Sequence, residues 1–251
     1  MLKPLRFILV NLICFYSIGI GIAQTPQDTL KVLFVGNSYT SISNMPHLVS
    51  LISERTNLKI ITSKSTVGGA DLSDHWHSRK GLTTKQEIRS GNYDVVVIQG
   101  HSMETINQKE DFLKYSKKLV DLVKGNGAKP YLYVTWARQK VPQYQSSITA
   151  AYEEAATLND CELIRVGDAW KLARTLRPEI PLFHPDGSHQ SDLGAFLTAL
   201  VFVGNLSGDI PENLKTHYFV RDANGKEVML LWEDALDITF CQKVAVEFIN
   251  K

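Results

Sequence analysis

The chain has 251 residues, 44% of them hydrophobic and 21% charged, which supplies enough apolar side chain for one substantial core and argues for a single α/β domain. Its 27 basic and 26 acidic residues leave a formal net charge of +1. No strong field of either sign is available, so neither nucleic acid nor an anionic membrane surface is expected as a partner.

The first segment reads as a leader. Lys3 and Arg6 form a positive region, Phe7 to Ile22 an apolar stretch, and Gly21-Ile22-Ala23 a small-x-small cleavage site. This pattern predicts a secretory signal peptide over 1–23, cut after Ala23, and a single domain over 24–251. The apolar stretch falls short of the roughly 20 residues that a membrane span needs, so no stable insertion is expected after cleavage. Asn11-Leu12-Ile13 makes a poor lipoprotein processing site before Cys14. Cys161 and Cys241 remain, and both a disulfide and two buried free thiols are compatible with their spacing. No Cys-x-x-Cys pair suggests structural zinc.

Short apolar runs then alternate with longer amphipathic ones. Lys31 to Val35 reads as a buried strand ending at Gly36, and Pro46 to Arg55 as a helix with Leu48, Leu51 and Ile52 on one face. Strands follow at Leu58 to Thr62 and Asp94 to Ile98, a helix at Lys109 to Lys124, and a strand at Tyr131 to Thr135. Ser146 to Leu158 reads as a helix, Glu162 to Val166 as a strand, and Asp168 to Leu176, Ser191 to Gly204 and Glu233 to Ile249 as helices. The Asp222-Ala223-Asn224-Gly225 turn suggests an accessory hairpin within Thr216 to Leu231. This alternation predicts a three-layer α/β/α sandwich around a parallel, flavodoxin-like sheet of about five strands.

Ligand sites in such sheets lie beyond the carboxyl ends of the strands. That directs attention to Gly36-Asn37-Ser38, Thr66 to Asp71, Gln99 to Met103 and Trp136 to Arg138. Ser38 follows a strand and precedes a helix, where a serine is a poor nucleophile unless a base takes its proton. Serine is also an ordinary cap at such a place. The surroundings fit neither a phosphate loop nor the Gly-x-Ser-x-Gly elbow, because Thr40 stands where the last glycine would be. Asp186 and His189 stand three apart across Gly187-Ser188, a spacing that can set a carboxylate against an imidazole N–H. Asp and Ser are also common turn residues. His75-Trp76-His77 is a weak metal motif, since residues two apart on a helix do not share a face.

Gly36-Asn37-Ser38-Tyr39 directly after the first strand, and Asp186-Gly187-Ser188-His189 before the final helices, together resemble the first and last blocks of the SGNH/GDSL hydrolase superfamily. Val67-Gly68-Gly69-Ala70 stands where that family keeps an oxyanion-hole glycine, and the resemblance runs from about Lys31 to about Asn205. Two blocks depart: Asn37 and Tyr39 stand where the GDSL name implies Asp and Leu, and Gln99-Gly100-His101-Ser102-Met103 replaces the usual Gly-x-Asn-Asp and looks like the corresponding motif of the sialate-O-acetylesterase-like branch.

The resemblance implies a serine esterase with Ser38 as nucleophile and His189 and Asp186 completing a triad. The oxyanion would be held by the backbone N–H groups of Ser38 and Gly69 and by the Gln99 amide, with Ser102 the second candidate for the missing asparagine donor and Gly69 preferred to Gly68. Trp136, Arg138 and Ser102 are candidate substrate contacts: an indole face suits a sugar ring and a guanidinium suits a carboxylate. The expected substrate is a small-molecule or glycan ester, most plainly an O-acetyl group on carbohydrate, outside the cytoplasm in a periplasm or secreted. No cofactor and no metal are expected. The alternatives are a glycan-binding protein without catalysis, a lipid or thioester hydrolase, and a metal hydrolase built on His184, Asp186 and His189.

Overall fold

A computed structural model describes residues 27–249, so the expected signal peptide lies outside the described residues. The chain runs β1 (Asp28–Gly36), α1 (Ser38–Ser41), α2 (Met45–Ser53), β2 (Leu58–Thr66), α3 (Leu72–His77), α4 (Thr84–Ser90), β3 (Val95–Ile98), α5 (Glu104–Asn107) and α6 (Lys109–Gly125). It continues with β4 (Lys129–Tyr133), α7 (Gln145–Asn159), β5 (Glu162–Ile164), α8 (Val166–Leu176), α9 (Asp192–Ser207), β6 (His217–Arg221), β7 (Glu227–Trp232) and α10 (Ala235–Val246).

Five strands form one parallel sheet in the order β2-β1-β3-β4-β5, the flavodoxin-like arrangement expected from the strand–helix alternation. The pleat sends alternate residues to two cores. Val32, Phe34, Val95, Val97 and Tyr133 pack with α2, α8, α9 and α10. Leu33, Val35, Val96, Ile98 and Leu132 pack with α6 and α7. Both faces are covered, which is why the central strands are continuous apolar runs. Helix α9 is buried from Leu193 to Gly204 and forms the spine of the first layer.

The accessory hairpin is present as β6–β7, with Asp222 Oδ1 accepting from the N–H groups of Asn224 and Lys226 in its turn. Some boundaries differ from the sequence reading. Strand β4 runs from Lys129 to Tyr133 instead of Tyr131 to Thr135, and just beyond it the Thr135 carbonyl lies so close to Gly167 that a Cβ there would have no room. Helices α3, α4 and α5 were not expected; at 6, 7 and 4 residues they are too short to carry a periodic signal. Cys161 and Cys241 are free thiols.

Candidate active site

The carboxyl ends of β1, β2, β3 and β4 open into a cavity of about 440 Å³ lined by Ser38, Gly68, Gly69, His101, Arg138 and His189 among others. Ser38 is the first residue of α1, so its backbone N–H lies where a helix has no internal acceptor to offer. Asn37 holds this turn. Its Oδ1 accepts from Tyr39 N–H at 3.0 Å, and its Nδ2 donates to the Ala70 carbonyl at 2.9 Å, which ties the Ser38 loop to the Gly68–Gly69 loop. Gly69 has φ +64° within a turn closed by Ala70 N–H on Val67 O, a left-handed conformation suited to glycine.

Three side chains from opposite ends of the sequence form a chain of hydrogen bonds. His189 Nε2 is 2.8 Å from Ser38 Oγ, and His189 Nδ1 is 2.6 Å from Asp186 Oδ2. The carboxylate fixes the tautomer: Nδ1–H donates to Asp186, so Nε2 carries the lone pair facing the serine hydroxyl. Asp186 Oδ1 also accepts from the backbone N–H groups of Ser188 and His189. These donors, the His189 ring first, hold the Asp186 carboxyl well below the usual carboxylate range. Both ring nitrogens of His189 are thereby engaged, so a metal reading of His184, Asp186 and His189 finds no convergent set of lone pairs here.

The turn that carries Asp186 and His189 is clamped from several sides. Gln190 Nε2 donates to the carbonyls of Tyr39 and Ile42, and Gln139 N–H donates to Gly187 O. Trp136 Nε1–H donates to Ser188 O at 2.9 Å, while Tyr39 Oη meets Ser188 Oγ at 2.8 Å.

Two expected residues are placed differently from the sequence reading. Gln99 is 1% exposed and is turned beneath the Ser38 loop. Its Oε1 accepts from Asn37 N–H and Thr40 Oγ1–H at 3.0 Å each, and its Nε2 donates to Gly100 O. The amide is therefore consumed in bracing the loop and does not line the cavity. Trp136, also 1% exposed, stands in a stack between Tyr39 and Trp170 and does not form an open wall beside Ser38. Arg138 and Ser102 do line the cavity, with Arg138 Nη2 donating to Ser102 Oγ at 2.9 Å.

Gly36 is closely packed against the side chains of Thr40 and Gln99. Its φ is not positive; a Cβ there would lie 2.7 Å from Thr40 Oγ1 and collide with Gln99 Oε1. The Gly36 carbonyl accepts from Nε2–H of buried His75 at 3.0 Å, and His75 Nδ1 accepts from Thr84 Oγ1–H at 2.7 Å. Burial lowers His75 to about 4, keeping it neutral. His77 Nε2 turns away to Tyr115 Oη, so the two histidines of the weak metal motif serve separate contacts.

Sequence reasoning missed Glu104. Its buried carboxylate accepts from Leu72 N–H at 3.3 Å and His101 N–H at 2.7 Å, joining the start of α3 to the loop after β3. Burial pushes it up to about 7. Glu104 stands in a four-residue helix at a strand end, and no spacing rule marks such a residue.

No family model matches the chain, and no curated protein matches it. Solved structures do resemble it. A candidate SGNH hydrolase from Slackia heliotrinireducens superposes with TM-score 0.61 at 23% identity, covering 71% of this chain and 100% of its own. A DUF4886 family protein from Bacteroides uniformis gives TM-score 0.70 at 20% identity, covering 88% and 94%. An acetyl xylan esterase gives TM-score 0.55 at 18% identity, covering 69% and 98%. The chain has the fold shared by these proteins.

Proposed function

We propose that this protein is a serine hydrolase of carboxylic esters, with Ser38 as nucleophile, His189 as general base and Asp186 as the orienting acid. The observation that carries this reading is the continuous hydrogen-bonded chain Ser38 Oγ, His189 Nε2, His189 Nδ1, Asp186 Oδ2 opening into a cavity. His189 takes the Ser38 proton as Oγ attacks the ester carbonyl, and the imidazolium is stabilised by Asp186. The Ser38 N–H and the Gly69 N–H hold the oxyanion; one such donor contributes about 3 kcal/mol to the transition state. His189 then protonates the departing alcohol, and water releases the acyl group by the same path.

The finer reading is an exported enzyme, periplasmic or secreted, that removes O-acetyl groups from carbohydrate. Export is supported by Lys3, Arg6 and the apolar stretch before Ala23. Acetyl ester chemistry is supported by the likeness to an acetyl xylan esterase.

The test compares the protein with its Ser38→Ala variant on p-nitrophenyl acetate and on acetylated xylooligosaccharides, with and without EDTA. Hydrolysis lost in the folded variant and indifferent to EDTA is expected. Equal rates in the two proteins would remove Ser38 as nucleophile. Absence of turnover by the parent on every ester would favour a binding protein instead.

A further inference from the structure

The cavity beside Ser38 has an uncompensated cation. Arg138 reaches it from the loop after β4, and none of the residues lining the cavity is Asp or Glu. No ion pair among the described residues includes Arg138. A guanidinium has five N–H donors. The Nη2 bond to Ser102 Oγ uses one, and Nε is buried with no hydrogen-bond partner.

The neighbours do not neutralise this charge. Ser102, Tyr39 and Ser188 are uncharged hydroxyls, and Tyr39 is pushed up by burial, so it stays protonated. His101 also lines the cavity, and burial with the Arg138 charge beside it lowers its tendency to protonate. At the opposite edge Lys80 donates to Gly69 O at 2.8 Å, although its own charge is matched by Asp74 at 2.9 Å.

A half-buried guanidinium gives up part of its hydration, and a fixed carboxylate partner is what ordinarily offsets that loss. This protein provides none within the cavity, and the charge stands beside the candidate nucleophile. We propose that Arg138 recognises a carboxylate on the substrate, so that the cavity takes acidic esters, such as an O-acylated uronic acid, ahead of neutral ones. This rests on the esterase reading for its chemistry, but the recognition itself needs no turnover.

Acetate release from acetylated glucuronic acid is measured against acetylated glucuronamide, which keeps the planar shape but exchanges the charged carboxylate for a neutral amide. The 4-nitrophenyl monoester of adipic acid is measured against that of adipic monoamide, which places the carboxylate on the acyl side. Kcat/KM is expected to favour the acid within one pair by roughly tenfold or more, the usual scale for a charge-assisted contact. The preference should fall to near unity in Arg138→Gln and survive in part in Arg138→Lys, which keeps a charge without the planar fork. Circular dichroism checks each fold, and Arg138→Lys carries the test if Arg138→Gln does not fold.

Calorimetry on the Ser38→Ala protein reads binding of glucuronate against glucuronamide without catalysis. Equal rates within both pairs, together with equal binding, would overturn the proposal and leave the esterase intact. Undiminished acid preference in folded Arg138→Gln would also overturn it. Selective glucuronate binding lost in Arg138→Gln, with no ester hydrolysed by the parent, would uphold the carboxylate site and overturn the esterase.

Discussion

The indole of Trp136 lies flat against the ring of Tyr39, their centroids 4.5 Å apart and their planes within 8°. Its other face stacks on Trp170 at 4.0 Å, and its N–H holds the carbonyl of Ser188. One buried side chain therefore touches both the residue after Ser38 and the residue before His189. Trp136→Phe removes the donor to Ser188 and should lower stability by about 1–3 kcal/mol. It should also reduce kcat more than it raises KM, because the displaced groups position Ser38 and His189. Denaturant unfolding alongside steady-state kinetics checks both; lost stability with unchanged kcat would reduce Trp136 to packing.

Asp186→Asn keeps an oxygen for the Ser188 and His189 N–H groups but removes the charge facing His189 Nδ1. The amide can present N–H to the ring and favour the wrong tautomer. Turnover should fall on the order of 10⁴-fold with the fold retained. A drop of less than tenfold on p-nitrophenyl acetate would argue that the carboxylate is not part of the mechanism.

Gln99 offers a clean contrast between bracing and direct catalysis. Gln99→Ala leaves the Asn37 N–H and Thr40 Oγ1 without their acceptor, so unfolding should show a loss of about 1–3 kcal/mol. An oxyanion donor would behave differently, leaving stability nearly unchanged while kcat falls roughly 10²–10³-fold. Finding the second pattern would return Gln99 to the oxyanion hole.

His75 and Glu104 should make opposite contributions to acid stability. His75 is held at about 4 against an ordinary 6.5, so the unfolded chain takes up that proton first, and stability is lost as pH falls from 6.5 towards 4. Glu104 is raised to about 7 from 4.5, so the folded chain holds the extra proton, and this contribution is lost as pH rises through 7. Each amounts to about 3 kcal/mol, and between pH 4.5 and 6.5 they largely cancel. Glu104→Gln should expose the His75 slope, with stability falling more steeply on acidification than in the parent. Urea unfolding across that range checks it; parallel curves would show that Glu104 does not titrate there.

Gly36→Ala should destabilise by about 1–3 kcal/mol through overpacking against Thr40 and Gln99, a cost visible as a lowered midpoint in urea. Pairing it with Gln99→Ala should recover part of the loss, because one of the two obstructing side chains is then gone. Strict additivity of the two changes would contradict a shared contact.

Much of this molecule is legible in its sequence because the relevant physics is local. Apolar runs such as Asp94 to Ile98 mark strands buried on both faces, and their alternation with helices leads to a parallel sheet of the observed order. The contact between Asp186 and His189 spans three residues and one turn, so spacing alone makes it available. The meeting of Ser38 with His189, across 151 positions, depends on β1 and the turn before α9 arriving at one end of the sheet. What sequence could not decide is where a side chain points once several elements pack around it. Gln99 has the amide an oxyanion hole requires, yet the free N–H of Asn37 and the hydroxyl of Thr40 beneath the loop claim its oxygen. Trp136 has a face fit for a sugar, yet Tyr39 and Trp170 bury both sides of it. A buried polar group must find a partner and a large aromatic ring gains most by burial, and which partners are at hand is a property of the assembled tertiary structure.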